Sequence, residues 1–141
     1  MMREGDRPVS CCAELGLTDP GKLLLFFYAA EPLNRTIDAR NVDTLVCLLD
    51  SEGVLPVGYN FYHLPEPMSF DLHNDLDELT EQGMIFTSSP ISITQEGKRA
   101  VENELAGHDK FSDAVEAIQQ TLEAYENWDA QSLLEAAYVR L

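Results

Sequence analysis

Positive charge is what this chain has least of. Nine Lys and Arg stand against 25 Asp and Glu among 141 residues, a net charge of −16 at pH 7 and a pI near 4.2. Only Lys22, Lys98 and Lys110 are lysines, and no Lys or Arg occurs between Arg40 and Lys98. A field of that sign repels nucleic acid and anionic membrane surfaces and strains the folded state through self-repulsion. Long apolar runs are missing too. The longest, residues 23–30, is far short of the ~18–20 residues that a membrane span needs, and residues 1–16 hold no stretch suited to a signal peptide. Cysteine is sparse. Cys11 and Cys12 adjoin and Cys47 sits in an apolar run, a spacing that fits neither a structural zinc site nor a redox pair and predicts free thiols in a reducing cytoplasm.

What is present suits one globular domain. The composition is 45% hydrophobic and 9% aromatic, enough for a core without staples. Two readings of the acidity stand. Few lysines with many Asp and Glu suit a salt-rich cytoplasm, where a short Debye length screens self-repulsion. A docking surface for a basic partner is the other reading. The acids are spread along the chain rather than clustered, which favours salt adaptation.

Periodicity predicts a mainly helical chain with a small β wing, an α+β class. Residues 1–17 read as a loose arm. Asp19 and Pro20 signal a helix over 21–30, apolar all round at residues 23–28, as in the middle of a core or between subunits. A second helix is predicted over 37–50, with Val42, Leu45, Val46 and Leu49 inward, and a strand over 57–63. Ser69 caps a third helix whose stripe is Leu72, Leu76 and Leu79, with Gly83 as its stop. A hairpin around Ser88, Ser89 and Pro90 follows, and Thr94 caps a helix to about Leu105. Phe111, Val115, Ile118, Leu122 and Tyr125 mark another helix; Leu133, Leu134 and Tyr138 mark a terminal one. The domain reading is thus 1–17 arm, 18–106 winged helix-turn-helix-like domain and 107–141 helical extension. The extension packs on the domain or forms a dimer contact. The chain ends without a capping signal, compatible with a longer parent.

Certain residues carry a family resemblance. Lys22, Leu23, Leu24 and Tyr28; Gly58, Tyr59, Asn60 and Phe61; and Pro67, Met68, Ser69 and Phe70 come first. The run from Leu76 through Gly83 to Ile85, the stretch Ile93, Thr94, Gln95, Glu96 and Gly97, and the closing Ser132, Leu133, Leu134 and Tyr138 complete the set. Over roughly residues 20–140 the chain resembles the YwgA and SocA-like (Panacea) winged-helix group. The resemblance implies a winged helix and an antitoxin- or adaptor-like role exercised through protein contacts. Two departures stand out. Pro65, Glu66 and Pro67 replace the Tyr-Gly-Pro common in the group before the third helix, and most of the group's scattered bases are absent.

The chemistry-bearing residues point to a surface rather than a reaction. Asp71, Asp75, Asp77, Glu78 and Glu81 lie on the outward face of the third helix, where a DNA reader carries bases, and form the candidate partner surface. As i,i+4 pairs, Asp71 with Asp75 and His73 with Asp77 could share an ion, but a solvated acidic face is the favoured reading, and neither metal nor cofactor is expected. His63, His73 and His108 have no ligand spacing. Tyr59, Phe61 and Tyr62 could stack on bases; without interleaved bases they read as core. No nucleophile–base pairing emerges.

The expected function is therefore a non-enzymatic, cytoplasmic interaction or regulatory protein from a salt-adapted cell. It is expected to be a homodimer with a basic protein partner and no nucleic acid or membrane. The alternative is a DNA-binding transcription regulator adapted to high salt, whose weak contacts would be Arg3, Arg7, Lys98 and Arg99.

Overall fold

A computed structural model describes residues 14–39, 41–63, 67–87, 90–125 and 135. Helix α1, Asp19–Ala30, runs through the centre. Thr18, one residue ahead of the predicted cap, accepts the Gly21 N–H on its hydroxyl at 3.3 Å. Leu23, Leu25, Phe26 and Ala29 are fully buried because α1 packs against three later helices of the same chain. Its all-round apolarity is thus absorbed within one chain. Of the two places expected for it, these contacts fit the middle of a core.

A 3-10 turn, Glu31–Leu33, ends with Asn34 in the left-handed region. Helix α2, Val42–Ser51, starts later than the predicted Ile37. Side chains explain the delay: the Asp38 N–H donates to Asn41 Oδ1 at 2.7 Å, and the Asn41 N–H donates to Asp38 Oδ1 at 3.1 Å. Such local bonds offer the backbone an alternative to helix. Ile37 is buried from this loop, and its carbonyl accepts the Ile91 N–H at 2.7 Å.

The predicted strand over 57–63 contracts to β1, Tyr62–His63, antiparallel to β2, Pro67–Met68. Its first half is instead a strap held by side chains. Lys22 Nζ donates to the Pro56 carbonyl at 2.6 Å, the Val57 N–H donates to Asp50 at 3.1 Å, and the Gly58 N–H donates to both Asp19 oxygens at 3.1 Å. A Cβ at Gly58 would meet Asp19 Oδ2 at 2.9 Å, so a residue without one fits this close approach.

Helix α3, Phe70–Glu81, is capped by Ser69 as predicted, and Leu72, Leu76 and Leu79 are buried. Strands β3, Ile85–Phe86, and β4, Ser92–Ile93, pair antiparallel with Ile85 opposite Ile93. Thr94 caps helix α4, Gln95–Leu105, accepting the Gly97 N–H at 2.9 Å. Helix α5, Phe111–Glu123, turns Ala114, Ile118 and Leu122 inward and lies against α1 and α2. The described residues are mainly helical with two small two-stranded sheets.

Of the predicted arm, residues 1–13, with Arg3, Arg7, Cys11 and Cys12, lie outside the described residues, while Leu15 already belongs to the core. Leu133, Leu134 and Tyr138 of the predicted terminal helix also lie outside them, whereas Glu135 within it is described and helical. Among the described residues no helix is long and apolar enough to cross a membrane.

Candidate partner surface

Helix α3 fixes the site. Its Leu stripe is pinned inward by the core, so geometry at 3.6 residues per turn turns the opposite face to solvent. Asp71, Asn74, Asp77, Glu78 and Glu81 are exposed there. Phe70, Asn74, Asp77 and Glu81, at i, i+4, i+7 and i+11, form one line along the helix. No Lys or Arg lies on it.

Asp75 does not belong with this set. It is half-buried, and its Oδ2 accepts the Tyr59 hydroxyl at 2.6 Å. Burial raises the Tyr59 hydroxyl above the ordinary phenol range; the Asp75 bond and the charges of Asp75, Asp19 and Asp71 add to that. Asp75 is thus the tether that fastens the 56–59 strap to α3.

His73 turns toward α2. Its Nε2 stands 2.9 Å from both oxygens of Asp43. An ionised carboxylate only accepts, so the proton is assigned to Nε2. Asp43 Oδ2 also accepts the Ser69 N–H at 3.3 Å, while buried Oδ1 has no close polar neighbour but His73 Nε2. Burial pushes the Asp43 carboxyl above its ordinary value, against the downward pull of the His73 charge and hydrogen bond and of the Ser69 N–H. The three residues resemble parts of a nucleophile–base–acid set, but Ser69 is fully buried and its Oγ is engaged by the Leu72 N–H at 3.2 Å. They form a brace between α2 and the start of α3. A lone Asp amid Val42, Thr44 and Leu45, with a His elsewhere, is the signal that could have revealed it.

Neither i,i+4 ion pair survives intact, since Asp75 serves Tyr59 and His73 serves Asp43. Among the described residues no three His, Cys, Asp or Glu side chains gather as metal ligands would. Clefts among the described residues include one of about 240 Å³ between the 3-10 turn and β4, one of about 550 Å³ beside Tyr28, Phe111 and Gln119, and one of about 610 Å³ beside Thr80, Phe86 and Gln95. The last two fall within the usual size of small-molecule sites, but no catalytic or metal-ligating cluster lines them.

The aromatic run divides. Tyr59 is buried and meets Phe61 edge-on at 6.3 Å. Tyr62 departs from the predicted core. It is 51% exposed, beside Phe70, which is 63% exposed, with ring centroids 6.1 Å apart. Alternation along a presumed strand hid this pair, because the ring that meets Tyr62 is supplied by α3.

Of the candidate nucleic-acid contacts, Arg3 and Arg7 lie outside the described residues, and the other two face carboxylates. Lys98 bridges Glu31, and Arg99 lies 3.3 Å from Glu96. Arg35 donates to the Tyr125 carbonyl at 2.6 Å. Set against models of protein families, against curated proteins and against solved structures, the chain matches none of them.

Proposed function

We propose that this is a non-enzymatic interaction or regulatory protein of the winged-helix kind, similar to the YwgA and SocA-like group. In it, the helix that a DNA reader lays in the major groove meets a basic protein. The order of α3, the β3–β4 hairpin and α4, with caps at Ser69 and Thr94 and a stop at Gly83, supports the winged-helix reading.

One observation carries the function: α3 exposes Asp71, Asp77, Glu78 and Glu81 with no base among them. Against phosphates, each carboxylate at contact distance repels by about 1 kcal/mol even in bulk water. Against Lys or Arg the same charges attract and steer the encounter. A DNA-reading regulator would have to rely on Arg3 and Arg7, since Lys98 and Arg99 already face carboxylates. For a homodimer the support is in the sequence, the apolar Leu133, Leu134 and Tyr138 of the expected terminal helix. A salt-adapted cytoplasm accounts for the remaining acids.

The test is capture from extract of the native cells by the immobilised protein and by a variant carrying Asp71→Asn, Asp77→Asn, Glu78→Gln and Glu81→Gln. The expected result is a basic protein retained by the first, lost by the second and indifferent to nuclease. Retention unaffected by the substitutions, or abolished by nuclease, would overturn the proposal.

A further inference from the structure

Two aromatic rings stand in solvent at the N-terminal end of the acidic stripe. Tyr62 and Phe70 pack on each other from β1 and α3, yet more than half of each remains exposed. Exposed apolar residues scattered singly need no explanation, but a contiguous patch rimmed by charge has the layout of a docking site. Large aromatics at such a patch supply most of the binding energy of an interface, and the charges around them set register and partner choice. Phe70 heads the same line of α3 as Asp77 and Glu81, a span of about 16 Å at 1.5 Å per residue.

We propose that this surface binds a basic amphipathic helix of another protein, with one apolar side chain seated on Tyr62 and Phe70 and its Lys or Arg residues paired with Asp77 and Glu81. The inference rests on the protein-docking reading above and names the partner's chemistry. Charge complementarity selects the occupant. A second copy would stack the acidic stripe on itself, and a duplex would bring phosphates to it; both set like charges together. A helix fits the rigid line of i, i+7 and i+11 positions, because it repeats that spacing on its own surface. The aromatic pair gives the partner's helix a fixed end, so the charges are read in register rather than as a diffuse field.

The test uses fluorescence anisotropy with labelled helical peptides of about sixteen residues. Each carries one apolar anchor, with lysines seven and eleven residues from it, made with the anchor at either end. The control is a shuffled peptide of the same composition. One of the designed peptides is expected to bind at least about tenfold more tightly than the shuffled one. Phe70→Ala and Tyr62→Ser are each expected to remove most of that preference, with an unchanged melting temperature because both side chains are exposed. Asp77→Asn with Glu81→Gln is expected to weaken both peptides. Equal affinity for designed and shuffled peptides overturns the inference, as does an unaffected Phe70→Ala. If only the carboxylate substitutions matter, the anchored helix is wrong and the acidic docking face stands; if neither set matters, both fall. Conversion of a dimer to monomer by Phe70→Ala in light scattering would assign the surface to a second copy and overturn it as well.

Discussion

Removing the hydroxyl of Tyr59 leaves the half-buried Asp75 without its phenol partner at 2.6 Å. An unmade bond to a charged group costs about 1.5–3 kcal/mol, and Tyr59→Phe is expected to lower the urea midpoint accordingly. Asp77→Asn, two residues on from Asp75 and on the exposed side, is expected to change stability by less than about 0.5 kcal/mol. Equal effects would show that α3 is rotated from the orientation described. Cys47 gives a second residue-scale prediction. Burial pushes its thiol up to about 11, helped by the charge of Asp50, so at neutral pH it is a protonated core side chain. Because the folded value is raised, the thiol's contribution to stability is complete below its ordinary value of 9.0 and is lost as pH rises to about 11. Peptide-resolved thiol labelling at pH 7.5 is expected to modify Cys47 only in denaturant. Labelling as fast in the folded state would contradict its burial.

Among the elements, α4 sits tightly on the hairpin through Gly97. A Cβ at that position would overlap the Met84 carbonyl oxygen and meet Ile93 Cγ1 at 2.7 Å. Met84 is backbone and cannot yield as a flexible side chain can. Gly97→Ala is therefore expected to destabilise by about 1–3 kcal/mol, despite the gain of up to ~1 kcal/mol in helix propensity; a raised melting temperature would contradict the packing. Helices with a clean stripe and a capping residue were legible in the sequence. Ser69 with Leu72, Leu76 and Leu79, and Thr94 with the helix to Leu105, stand where the sequence put them. The elements that periodicity missed are governed by long-range side-chain bonds. The strap at 56–59 alternates like a strand, yet its N–H groups go to Asp19 and Asp50 rather than to a neighbouring strand. The start of α2 shifted because Asp38 and Asn41 bond each other's backbone. Four of the five carboxylates of the candidate surface are exposed as their helical spacing implied. Asp75 is not, because the Tyr59 that bonds it comes from a segment whose alternation pointed to a strand rather than to a strap laid against α3.

For the whole molecule, the balance lies between a closely packed core and a strongly acidic charge. The charge of −16 repels itself, and salt shortens the Debye length from about 10 Å at 0.1 M to 3 Å at 1 M. If the acidity answers a salt-rich cytoplasm, the melting temperature rises steeply as KCl goes from dilute to molar, as calorimetry would record. A flat curve would instead assign the acids to partners. The most direct measurement of what the α3 face meets is photo-crosslinking in the native cell, with a photoreactive residue at Asp77 and, as a control, at the exposed Glu116 on α5. A docking face for a basic protein predicts an adduct at 77 that protease destroys and nuclease leaves intact, and none at 116. A nuclease-sensitive adduct at 77, or identical adducts at both positions, would contradict it.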